Sequence, residues 1–201
     1  MRRFEFIAGA LCLDFANTIH DSHAEDKREE LHAIADLLQW AAEAGLLSTA
    51  DHRRLAAYYE RNPRAAAAAL AKAISVRDLL VAIFASVANG RSASPQLLSA
   101  LNSALAQVPG LLRVHKGARG MEREWTSVAD GLQKVLFTVL TSAAELLASD
   151  RSGRIRECGA ADCTWLFVDE SRNRSRRWCD MNACGNRMKA RRYYQRAKAA
   201  Q

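Results

Sequence analysis

Apolar residues at helical spacing cover most of the first 150 positions of this chain. Leu11 and Phe15 open a stripe through Leu11-Cys12-Leu13-Asp14-Phe15-Ala16-Asn17-Thr18. Leu31, Ile34, Leu37, Leu38 and Ala41 continue the rhythm and predict a helix from about Lys27 to Ala44, stopped by Gly45. Ser48-Thr49-Ala50-Asp51 has the chemistry of a helix N-cap and precedes Leu55, Tyr58 and Tyr59. Pro63 suits the first turn of the next helix, because its missing N–H is harmless there. That helix runs through an alanine-rich segment, carries Leu70, Ile74, Leu80 and Phe84, and ends at Asn89-Gly90. Ser94-Pro95 opens a shorter one with Leu97, Leu98, Leu101 and Leu105.

The pattern then changes. Leu111-Leu112-Arg113-Val114 and Met121–Trp125 flank Gly117-Ala118-Arg119-Gly120, which reads as a β-hairpin. A last long helix, about Ser127 to Ala148, carries Val128, Leu132, Val135, Leu136, Val139 and Leu146. Asp150-Arg151-Ser152-Gly153 reads as a short boundary. Beyond it, Trp165-Leu166-Phe167-Val168 is a candidate strand, and Asp169–Ser175 is a polar turn. Arg176–Cys179 returns toward the first cysteines, and residues from Cys184 to about Ala199 favour helix. The expected class is α+β: a mainly helical domain with a β-hairpin over residues 1–149, then a small C-terminal domain over 150–201.

Composition adds little until charge is divided along the chain. Of 201 residues, 49% are hydrophobic and 25% charged, as in ordinary globular proteins. Residues 151–201 hold 13 Lys+Arg against 5 Asp+Glu, a net of +8, whereas the remainder is close to neutral at −1. The formal charge of +7 therefore belongs to the last quarter of the chain, and such asymmetry points to an anionic partner such as nucleic acid. The longest apolar run, Leu79–Ala88, falls well short of the ~18 residues of a membrane span. Arg2-Arg3 precede the apolar run Ile7–Leu13, but Glu5 and Asp14 interrupt it and no cleavage pattern follows. A cytoplasmic protein with no membrane partner is expected.

Four of the five cysteines fall in two close pairs, Cys158-x4-Cys163 and Cys179-x4-Cys184. Two pairs separated by a longer span suit a tetrahedral Zn²⁺, each pair wrapping one side of the ion and the span between them expected to form a small hairpin. Four thiolates leave no open position, so the metal is expected to be structural. Disulfides would need an oxidising compartment, iron–sulfur clusters use other spacings, and redox sensing by the thiolates remains an alternative. Cys12, alone in its apolar stripe, reads as a small buried hydrophobe. With Cys184 at a helix start, the order knuckle, hairpin, helix is that of a treble clef.

On the terminal helix, Cys184, Met188 and Gln195 fall on one side, Arg187, Arg191 and Lys198 on one flank with Tyr194, and Lys189, Arg192 and Arg196 on the other. The i,i+4 pairs Arg187/Arg191 and Arg192/Arg196 repel, and phosphates would relieve them. Arg172, Arg174, Arg176, Arg177, Arg187, Lys189, Arg191, Arg192 and Arg196 are the candidate nucleic-acid contacts, with solvated side chains or, for Arg187, a brace on the zinc loop as the competing roles.

Cys184-Gly185-Asn186-Arg187, preceded by Arg176-Arg177-Trp178-Cys179 and by Phe167-x-Asp169-x-Ser171, resembles the bacterial CGNR zinc-finger family. The segment Leu11–Thr18, and Trp40-Ala41 followed by Gly45-Leu46, resemble the ABATE domain that accompanies that finger. The resemblance implies a treble-clef finger held by Cys158, Cys163, Cys179 and Cys184, in a family regarded as stress-induced transcription regulators.

The function expected is DNA binding, with an N-terminal domain that dimerises or binds a small-molecule effector. An RNA- or ribosome-associated protein is the alternative, since Trp165, Trp178, Tyr193 and Tyr194 would stack bases unless they form the finger's own core. A protein–protein adaptor is another. A treble-clef nuclease would need a histidine in the finger, and residues 151–201 hold none, so no enzyme is expected and no catalytic residue is assigned. His20, His23, Asp21 and Asp26 read as a polar loop rather than a metal site. Asp14 and Asn17 either hydrogen-bond within the core or line an effector pocket.

Overall fold

The computed structural model describes residues 3–21, 27–107, 112–117, 120–125 and 131–199. Helix α1 spans Leu11–Ala16, and strands β1 (Ile19–Asp21) and β2 (Lys27–Glu29) form an antiparallel ladder after it. Helices α2 (Ile34–Glu43), α3 (Thr49–Arg61), α4 (Pro63–Ala88) and α5 (Pro95–Ala106) follow. Strands β3 (Leu112–Gly117) and β4 (Gly120–Trp125) pair antiparallel, then α6 spans Gly131–Ala148. The C-terminal segment contains β5 (Ile155–Glu157), β6 (Leu166–Val168) and α7 (Asn186–Ala199).

The cap predicted at Ser48 forms, and Ser94 caps the helix that it was expected to open. The Ser48 hydroxyl accepts from the Asp51 N–H at 3.0 Å, and the Ser94 hydroxyl from the Leu97 N–H at 3.3 Å. Gly45, at φ +74°, ends α2 in the left-handed region where a side chain would be strained. The helix expected from Lys27 to Ala44 is shorter than its apolar rhythm suggests. Lys27–Glu29 pairs with Ile19–Asp21, and α2 begins only where the Asp36 carboxylate accepts the N–H groups of His32 and Ala33. Leu31 is buried all the same, from outside the helix. The hairpin turn at Ala118-Arg119, together with Leu111 and Ser127–Asp130, lies outside the described residues, as do His23 and Asp26 and the side chains of His20, Asp21, His115 and Tyr194.

Helix α4 runs through the middle of the molecule, touching α1, α2, α3, α5 and α6 as well as β5 and β6. Ala73, Leu80, Ile83 and Phe84 on its inner face are fully buried against Leu13, Phe15, Trp40 and Val135 of the same core. The Phe15 and Trp40 rings meet at 4.8 Å. Each buried Leu, Ile, Val or Phe side chain among them contributes about 1.5–3 kcal/mol. Arg77 is the charged exception on that face: its guanidinium bonds Glu29 at 2.6 Å and Asp78 at 3.1 Å, tying β2 to α4. Helix α6 is 18 residues long with a mean hydropathy of 1.2, enough by composition to cross a membrane. Gln133, Lys134 and Glu145 interrupt its apolar runs, so no continuous apolar stretch marks it in the sequence. Its stripe from Leu132 to Leu146 is buried in the protein's own core.

The same core continues into the C-terminal segment through Ile155, Leu166, Phe167 and Val168. Strand β6 is hydrogen-bonded along both edges. One edge pairs with β5. On the other, the Val168 N–H donates to the Ala8 carbonyl at 2.8 Å, and Asn17 bonds Leu166.

Candidate zinc centre and basic helix

The β5–β6 hairpin carries the first cysteine pair in its loop, so the chain folds back around Cys158 and Cys163. The span between the pairs was expected to make the hairpin, with Arg176–Cys179 returning toward the first cysteines. Instead the partner of β6 lies before the first cysteine, in register Ile155↔Val168 and Glu157↔Leu166. Asp169 explains the difference. Its buried carboxylate accepts from the Ser171 N–H at 2.9 Å, the Ser171 hydroxyl at 2.5 Å and the Arg176 N–H at 3.0 Å, closing residues 169–176 into a loop.

That loop delivers Cys179 to the first pair. The Gly159 N–H donates to the Arg177 carbonyl at 2.7 Å, an approach that would bring a Cβ at Gly159 to 3.0 Å from the same oxygen. Asp180 then caps a wide turn, Met181–Gly185, by accepting from the Ala183 N–H, and the turn presents Cys184 just before α7.

The four sulfurs lie within 4.8 Å of one another and all four residues are buried. Cys163 and Cys179 sulfurs are 3.7 Å apart, and those of Cys179 and Cys184 3.6 Å. Zinc–sulfur bonds of about 2.3 Å place tetrahedral sulfurs about 3.8 Å apart, so the cluster has the dimensions of a four-thiolate zinc site. The thiols also show why a cation belongs there. Hydrogen bonds from Cys163 and Cys179 push the Cys158 thiol down, and the same bonds push Cys163 and Cys179 up. A divalent ion relieves this competition for the proton, because it favours the ionised form of the thiols it binds.

Residues 154–197 match the CGNR zinc-finger model, and residues 9–150 match the ABATE model, described as "Putative stress-induced transcription regulator". The chain belongs to the ABATE family. A search of curated proteins returns no match. The CGNR finger of this ABATE protein thus holds a structural zinc on Cys158, Cys163, Cys179 and Cys184.

The CGNR arginine has a definite task in it. The Arg187 guanidinium donates to the Cys184 sulfur at 3.2 Å and to Asp162 at 3.0 Å, and Arg191 pairs with the other oxygen of Asp162 at 3.1 Å. Asp162 therefore relieves the Arg187/Arg191 repulsion from within the protein. The sequence reading missed it, although an acid inside the Cys158–Cys163 knuckle was a visible signal. Arg176 is also committed. It lies 4.4 Å over the Phe167 ring and donates to the carbonyls of Trp178 and Cys179.

The remaining candidate cations face solvent. Arg172, Arg174 and Arg177 are exposed on the loop between β6 and Cys179, with Arg177 set 5.6 Å over the Trp178 ring. Lys189, Arg192 and Arg196 are exposed on α7, where among the described residues only Met188 packs against the core. Trp165 is buried and Trp178 packs on the core, leaving Tyr193, 71% exposed, as the aromatic on offer among the described residues of α7.

Asp14 and Asn17 occupy the ABATE motif's buried face. Asp14 accepts the Ala8 N–H at 2.9 Å, and burial pushes its carboxyl up from 3.8 to about 6. Asn17 bonds β6 and also lines a cleft beside it, which Asp14 does not reach. Cys12 is fully buried as expected, and burial raises its thiol to about 11.

Proposed function

We propose that this ABATE protein is a cytoplasmic DNA-binding transcription regulator that acts by binding, not catalysis. The observation that carries the reading is α7. It projects from the zinc centre with almost every described position exposed, and its Lys189/Arg192/Arg196 flank makes no ion pair among the described residues. The Arg192/Arg196 repulsion costs about 0.2–0.5 kcal/mol in an isolated helix and is relieved by phosphate oxygens. Arg172, Arg174 and Arg177 extend the same chemistry onto the loop, while Arg176, Arg187 and Arg191 mainly hold the finger in shape. Zinc and four thiolates remove about two units of the segment's positive charge, which leaves it strongly basic. A closed thiolate shell offers no position for a substrate, which is the support for a binding role. In this reading residues 1–149 dimerise or sense, and residues 150–201 engage DNA.

The test is selection of genomic fragments by the zinc-loaded protein at physiological salt. Enrichment of a discrete sequence, retained against competitor DNA, supports a sequence-specific regulator. Uniform, salt-sensitive retention reduces the reading to backbone electrostatics. Exposed Tyr193 favours a second reading, single-stranded RNA held by stacking, and preference for RNA in the same assay would select it.

A further inference from the structure

A cleft of about 440 Å³ lies where the helical core meets the finger. Its volume is within the range of small-molecule sites, about 300–1,000 Å³. Helix α4 lends it one stripe, Asp78, Val81 and Ala85, spaced so that all three share a face. The finger lends Glu157, Thr164 and Leu166 from either side of the zinc knuckle. Asn17 sits at the join, already bonded to Leu166.

The charge of this cleft is opposite to that of the protein. Among the described residues no Lys, Arg or His lines it, whereas two carboxylates do. The neighbouring Arg77 does not reverse the sign, because its guanidinium is shared between Asp78 and Glu29. Among the described side chains here, Arg77 with Asp78, Glu29 and Glu157 leaves a surplus of negative charge beside a largely apolar lining.

We propose that the cleft binds a small organic cation, an ammonium or guanidinium group on a compact apolar body. The cation meets the carboxylates of Asp78 and Glu157, and the body packs on Val81, Ala85 and Leu166. Phosphates and other anions are rejected, which keeps this site distinct from the basic helix. An occupant touches both partners of the Asn17–Leu166 join and so bears on how the finger is held. The site stands on its own lining and does not require that the protein bind DNA.

The experiment is calorimetric titration of the full, zinc-loaded chain with isoamylammonium, with isoamyl alcohol and isovalerate as neutral and anionic analogues of the same shape, each to about 10 mM. Saturable binding of the ammonium, stronger than either analogue, is expected. Glu157→Gln weakens it about tenfold, and Ala85→Leu, which fills the cleft, removes it; zinc content checks that both variants are folded. Isovalerate binding as well as the ammonium, or no saturable heat for the ammonium in the wild-type chain, overturns the proposal. An unchanged affinity in folded Ala85→Leu overturns it too.

Discussion

Asn17 and Leu166 exchange two hydrogen bonds, Asn17 Nδ2 to the Leu166 carbonyl at 2.9 Å and the Leu166 N–H to Asn17 Oδ1 at 2.8 Å. One side-chain amide thus does for β6 what a neighbouring strand would do. It joins the end of the ABATE motif to the finger across 149 residues of sequence. Asn17→Ala leaves a buried donor and a buried acceptor unpaired, each costing about 1–3 kcal/mol. A loss of at least ~2 kcal/mol in urea unfolding is expected. A variant as stable as wild type contradicts the join.

Zinc removal is expected to reach beyond the finger. Ile155, Phe167 and Val168 are fully buried in the core that holds α1, α4 and α6, and structural zinc contributes on the order of 10 kcal/mol to small modules. Chelation should therefore lower the melting temperature of the whole helical signal in circular dichroism, not merely remove the contribution of α7. Loss of α7 alone, with the main transition unmoved, contradicts a shared core.

Asp14 supplies a pH dependence of defined sign. Its folded-state carboxyl lies near 6, above the ordinary 3.8, so the folded protein holds this proton more tightly than the unfolded chain. The stability linked to that proton is full below 3.8 and is lost as pH rises through about 6. Asp14→Asn keeps an oxygen for the Ala8 N–H and has no charge to bury. Its stability relative to wild type should rise across that window and level off above it, measured by urea unfolding at matched zinc. A difference that is flat with pH contradicts the assignment.

How much of this was legible in the sequence depends on how local the cause is. The cysteine pairs carry their own geometry, and the caps at Ser48 and Ser94 need only neighbours, so both are readable. Lys27–Glu29 is not, because the Leu31–Ile34 spacing fits a helix and the competing partner, Ile19–Asp21, lies across a loop. The finger's hairpin was misplaced for a similar reason: Ile155 and Arg156 gave no strand signal alone, and the buried Asp169 turn closes residues 169–176 as a loop. The arginines divide the same way. Composition marks all of them as basic and the place of Arg187 beside Cys184 suggested a brace, but only the fold identifies the protein partners of Arg176, Arg187 and Arg191.

Asp162 separates the structural and DNA-facing roles of charge. Asp162→Ala frees Arg187 and Arg191, so the salt dependence of DNA retention should steepen by about one to two units of slope, while zinc is held less firmly because Arg187 loses its anchor beside Cys184. Fluorescence anisotropy across a salt series measures the first, and competition with a chromogenic chelator the second. A shallower slope contradicts this division.

The most direct test of the account is the same salt series on the zinc-loaded protein and its Arg192→Ala/Arg196→Ala variant, using one genomic duplex. Tight, salt-sensitive binding by the wild-type protein is expected, with a slope reduced by about two units in the variant and zinc content and melting temperature unchanged. Equal affinity and slope in both proteins would contradict it, because α7 would then not be the surface that meets DNA.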